Sequence, residues 1–115
     1  MASIIEVWSR IKEHEGDTFK TITGLEFSYS IDGDSIIPSR TDWNIPKSHV
    51  EKLLERVPIK NPGEITDDVM GPSYLWGILN DERISSGDWQ FRFLMVYLLF
   101  YSKVEQVLEL VRVRF

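Results

Sequence analysis

Cysteine is missing altogether from the 115 residues. Disulfides, thiolate metal sites and cysteine nucleophiles are therefore excluded. Histidine is scarce: His14 and His49 are the two. Neither has a His or Cys at ligand spacing, so no metal and no cofactor is expected. Glycine and proline, seven and five residues, are too few for a collagen-like or low-complexity chain. Long hydrophobic runs are also lacking. The longest, from Phe93 to Tyr101, falls far short of the roughly 20 residues of a spanning helix, so no membrane partner is expected. The opening Met1-Ala2-Ser3-Ile4-Ile5-Glu6 has neither the basic nor the apolar region of a signal peptide. The expected location is the cytoplasm.

What is there is ordinary globular material: 43% hydrophobic, 27% charged, with a formal charge of −5. The length suits one domain over 1–115. An acidic sum argues mildly against coating nucleic acid non-specifically. The charge is uneven, however. Residues 36–60 carry Arg40, Lys47, Lys52, Arg56 and Lys60 against Asp42, Glu51 and Glu55, and 89–115 is also mildly basic.

Hydrophobic spacing predicts an α+β domain. Ser3-Ile4-Ile5-Glu6 has the form of a capping box, and the spacing of Ile4, Ile5, Val7, Trp8 and Ile11 predicts a helix over about 4–14. Phe19–Ile22 and the alternating Glu26–Ile31 read as strands. Asp32-Gly33 predicts a type I′ turn, Ser35–Ile37 the return strand and Asp42–Ile45 a third. The result is a small antiparallel meander over about 18–45. Ser48-His49-Val50-Glu51 reads as a second capping box. Val50, Leu53, Leu54 and Val57 then form an i, i+3, i+4, i+7 stripe, for a helix over 48–57. Residues 58–72 read as a loop with one turn near Thr66–Val69. Ser73 is expected to cap a helix over 73–80. An aromatic C-terminal segment reads as helices over 89–101 and 103–110 and a short final strand, with a buried strand as the alternative for 91–101. The expected core is Trp8, Ile11, Phe27, Tyr29, Ile36, Leu53, Leu54, Leu75, Ile78, Leu79, Phe93 and Val96.

No nucleophile elbow, zinc-protease helix or phosphate-binding loop is present, and no catalytic residue is named. The stretch Pro38–His49 is the suggestive one. Arg40, Lys47, Lys52 and Arg56 would contact phosphates, and Trp43 would stack or wedge, giving a nucleic-acid-binding module. The plainer reading makes these a solvated helix face with Lys52–Glu55 pairing, and puts Trp43 in the core. A helix apolar on nearly all sides, as 91–101 would be, needs burial all round. Phe93, Tyr97, Phe100 and Tyr101 are therefore candidates for a homodimer interface. A third reading puts a small ligand pocket near Tyr74, Asp81 and Arg83, although Asp81-Glu82-Arg83 more often makes local ion pairs and caps.

Two stretches carry a resemblance. Phe19-Lys20-Thr21-Ile22-Thr23-Gly24-Leu25-Glu26-Phe27-Ser28-Tyr29, running on to Pro38-Ser39-Arg40-Thr41, is one. Gly71-Pro72-Ser73-Tyr74-Leu75-Trp76-Gly77-Ile78-Leu79-Asn80-Asp81-Glu82-Arg83-Ile84 is the other. Together they resemble small bacterial proteins of the kind carried on mobile gene cassettes, including integron cassettes, whose segments also occur beside restriction-type nucleases. The resemblance implies a mobile-element setting and favours the nucleic-acid reading. It implies no catalytic residue. The leading expectation is a non-enzymatic binding module contacting nucleic acid. The rivals are a homodimeric protein-interaction module and a small-ligand-binding protein or enzyme.

Overall fold

The computed structural model describes residues 3–89. The predicted C-terminal helices and strand, the core positions Phe93 and Val96, and the interface candidates Phe93, Tyr97, Phe100 and Tyr101 lie outside the described residues. Within them the fold is α+β, with helices around two small antiparallel sheets.

Helix α1 spans Ile4–Glu13. Its start follows the capping rule: Ser3 is extended, and its hydroxyl accepts the Glu6 amide at 3.3 Å. The apolar spacing then turns Val7, Trp8 and Ile11 inward, while Ile5, also part of that pattern, faces solvent because it lies off their stripe. Strand β1 (Phe19–Lys20) pairs with β2 (Glu26–Phe27) in the register Phe19↔Phe27. The next sheet has the order β3-β4-β5, from Tyr29–Asp32, Ser35–Pro38 and Ile45–Pro46.

The expected single meander is thus two sheets. The strand predicted over Glu26–Ile31 breaks at Ser28, whose amide donates to the Ser39 hydroxyl at 3.0 Å rather than to a ladder carbonyl. The hairpin is present, but its turn is one residue later than predicted. Asp32 pairs with Ser35, so the two-residue loop is Gly33-Asp34. Of the two, only Gly33 has a positive φ, +60°. That is the type II′ pattern with glycine first, not type I′. The third strand is shorter and later than expected, because residues 39–44 form a loop. The outer edge of β3 is covered: the Gly16 amide donates to Tyr29 O at 3.0 Å, and the Glu15 carboxylate accepts the Ile31 amide at 2.8 Å. An edge closed this way offers no ladder to another chain.

Helix α2 spans Lys47–Leu54, and Pro46, not Ser48, stands at its N-cap. The Lys47 amide already donates to Asp34 O at 2.7 Å. Strand β5 therefore runs straight into the helix, and Ser48 falls inside the first turn. Helix α3 spans Pro72–Leu79, and its N-cap is Gly71 at φ +61°, not Ser73. The Gly71 carbonyl takes both the Tyr74 and the Leu75 amides, and Pro72 at the first helical position has no amide to satisfy. In the loop before it, a 3₁₀ turn spans Pro62–Glu64, and the turn expected near 66–69 follows it, the Asp68 and Val69 amides both donating to Ile65 O. Helix α4 (Glu82–Ser85) is capped by Asp81, whose carboxylate accepts the Arg83 amide.

The core forms where α1 meets α2 and α4, and where α3 meets β1. All ten described members of the predicted core are buried, joined by Phe19, Ile45, Val50, Ile59, Ile65, Val69, Ile84 and Trp89 among others. Two close approaches fix this packing. Tyr29 donates its hydroxyl to Ile11 O at 2.6 Å, tying β3 to α1 in the interior. At Gly77, α3 lies so near β1 that a Cβ there would stand 2.5 Å from Lys20 O.

Candidate binding groove beside Trp43

Trp43 does not join the core: half of its surface is open to solvent. It sits on the 39–44 loop, and its amide donates to the Thr41 hydroxyl at 3.2 Å. Its six-membered ring lies against Gly71, where a Cβ would come within 3.7 Å of Trp43 Cε3 and 2.6 Å of Ile45 Cδ1. Gly71 therefore does two things at once. It adopts the left-handed conformation that starts α3, and its missing side chain leaves room for Ile45 and seats the indole above.

An open-sided groove of about 330 Å³ runs beside this indole. One side is the turn between β1 and β2, through Thr21, Thr23 and Leu25. The other is the start of α3, through Gly71, Pro72, Ser73 and Tyr74. The β turn is held by its own hydrogen bonds. Thr21 N donates to Leu25 O at 3.0 Å, and the Thr21 hydroxyl accepts the Leu25 amide at 3.1 Å. Tyr74 is braced from behind by Phe27, edge to face with ring centres 5.0 Å apart, a favoured aromatic geometry. Ile22, Leu25 and Met70, unusually exposed for their type, belong to these same segments.

The lining carries no charged side chain and no carboxylate or carboxamide. Trp43 Nε1, the Ser73 hydroxyl and the Tyr74 hydroxyl make no hydrogen bond to other described residues, leaving groups at the groove for a ligand. The groove stands at the small end of the range of about 300–1,000 Å³ typical of ligand sites. It has room for one ring and its substituents rather than a large cofactor.

The structure gives each predicted phosphate contact a partner within the fold. Arg40 is exposed and donates its Nε to Glu26 O at 2.7 Å. The Lys47 ammonium lies 5.7 Å over the Trp8 ring. Lys52 reaches Asp68 O at 3.3 Å, not Glu55. Arg56 pairs with the Asp68 carboxylate and donates to Glu64 O. Two of the four cations are therefore engaged by the acidic 60–70 loop and brace α2 against it. In the same seam, His49 Nδ1 accepts the Met70 amide at 3.0 Å.

The suggested pocket also divides. Tyr74 lines the groove, while Asp81 and Arg83 do not. Arg83 forms a two-pronged pair with Asp81, donates to Thr18 O at 2.6 Å and lies 4.1 Å over the Phe19 ring. Partial burial raises the Asp81 carboxyl, but hydrogen bonds from Arg83 outweigh this and hold it below the usual aspartate value. Those same bonds raise the Arg83 guanidinium. Burial, with Asp17 nearby, pushes the Tyr29 phenol well above its ordinary range. These groups clasp α4 and β1 together, which is the plainer role expected of Asp81-Glu82-Arg83.

No family model, no curated protein and no solved structure matches the chain. Its chemistry is therefore read from its own residues. Among the described residues, no group of three His, Cys, Asp or Glu is placed to hold a metal ion, and no helix is long and apolar enough to cross a membrane. Sequence reasoning found Trp43 and Tyr74 but not that they share a groove, and it missed Thr21, Thr23, Leu25 and Ser73. The available signal was Gly71-Pro72, which marks a tight helix entry, together with Gly24 in the opposing turn.

Proposed function

We propose that the protein is a non-enzymatic binding module that takes single-stranded nucleic acid, with an unpaired base resting on Trp43. The observation that supports this reading most is the half-open indole, seated on Gly71 at the mouth of an uncharged groove. Base-on-aromatic stacking contributes about 1–3 kcal/mol per base and tolerates any sequence. Duplex DNA hides its base faces, so a single strand is the better substrate for this surface. Arg40, three residues before Trp43 on the same loop, is the exposed cation best suited to an adjoining phosphate. Lys52 and Arg56 act instead as structural braces.

The test is fluorescence anisotropy with labelled single-stranded and duplex oligonucleotides. Single strands should bind more tightly than duplex. Trp43→Ala should weaken that binding about 5- to 150-fold, the range corresponding to one lost stack. The paired change Lys52→Ala with Arg56→Ala should leave it within about twofold wherever circular dichroism shows the protein folded. Equal binding by wild type and Trp43→Ala would sink the proposal.

A further inference from the structure

We infer that the groove between the Thr21–Leu25 turn and the start of α3 is a pocket for one uncharged nucleobase, recognised without its phosphate. This deepens the single-strand reading and rests on it. The argument is one of complementarity. The groove offers an aromatic face in Trp43, a second ring in Tyr74 and an apolar wall in Leu25. Its polar groups are the hydroxyls of Thr23, Ser73 and Tyr74 and the indole N–H of Trp43, all neutral. A phosphate buried here would meet no cation, and a dianion without a partner is costly to desolvate. A bare sugar fits less well. Adjacent ring hydroxyls are best held by a planar carboxylate or carboxamide that engages two at once, and none lines the groove. A base presents what these walls match: a flat face for the indole, and edge donors and acceptors for hydroxyls that serve as either. The volume of about 330 Å³ admits one such unit.

The test uses the full chain labelled with ¹⁵N, following the four tryptophan indole N–H signals, with Trp43 assigned through Trp43→Phe. Adenosine, adenosine 5′-monophosphate, ribose and inorganic phosphate are titrated separately. Adenosine and its monophosphate should shift the Trp43 signal with dissociation constants within about twofold of each other. Ribose and phosphate should not shift it. Ser73→Ala, which leaves the helix cap intact, should weaken adenosine binding several-fold. Monophosphate binding more than tenfold tighter than adenosine would overturn the phosphate-free pocket. Ribose matching adenosine would make this a sugar site instead. Labelled oligonucleotide that binds while nucleosides leave Trp43 untouched would overturn the pocket and spare the module. Failure of both would overturn both.

Discussion

Gly77 and Asp81 show how single positions set limits on this fold. A methyl group on Gly77 would collide with the backbone of β1, which cannot swing aside as a side chain can. Gly77→Ala should therefore destabilise the protein by about 1–3 kcal/mol, although alanine favours the helix, and urea unfolding would measure it. Asp81 makes a different prediction. Its carboxyl is held below the ordinary value, so it adds stability that is fully present above about pH 3.9, where an unfolded aspartate ionises. That stability is lost as the pH falls further, through the folded value. Asp81→Asn keeps an oxygen for the cap and loses the ion pair. It should cost about 1 kcal/mol at pH 7, since the pair is partly open to solvent. The gap between variant and wild type should close as acid unfolding curves are taken below pH 4. At this scale the sequence was a good guide to burial, because each apolar residue on a regular stripe has one inward direction. Trp43 was less legible. A tryptophan in a loop follows no period, and its exposure is set by a glycine 28 positions away.

The elements were legible where local chemistry decides and less so where tertiary contacts do. Ser3 caps α1 as the pattern predicts, its hydroxyl taking the Glu6 amide of the first turn. Ser48 and Ser73 carry the same signal and do not cap. One helix is entered directly from a strand whose next amide belongs to the hairpin loop, and the other from a left-handed glycine. Ser3→Ala should thus cost about 0.5–2 kcal/mol, while Ser48→Ala should change the midpoint of thermal unfolding little. A matching loss at both positions would show that the cap at Ser3 contributes nothing special. The division of the strands follows the same logic. Alternation gave the polarity of Glu26–Ile31 correctly, with Phe27 and Tyr29 inward. It carries no information that Ser28 would bond to a serine hydroxyl across the sheet.

For the whole molecule, charge is the governing quantity. A chain with a formal charge of −5 does not gather a polyanion by its net field, and two of its four candidate phosphate contacts, Lys52 and Arg56, are spent on Asp68. Oligonucleotide affinity should therefore depend only weakly on salt. With Arg40 as the single phosphate contact, a plot of log affinity against log salt should slope no more steeply than about −0.7. A steep slope would mean that a basic surface elsewhere carries the binding. The same scale brings out what Arg10 accomplishes. From α1 it donates to Ile84 O at 3.0 Å and Ser85 O at 3.3 Å, and pairs with Asp88 at 2.6 Å. The end of the described chain is thereby fastened to its beginning, while β3 and β4 are laced along their length. Cutting the backbone between Gly33 and Asp34 would sever the covalent thread at an exposed hairpin tip yet leave both halves gripping each other through α1, α2, α4 and the β3–β4 ladder. The nicked protein should travel through a sizing column as one particle, and the two fragments, made separately, should find each other and rebuild the fold.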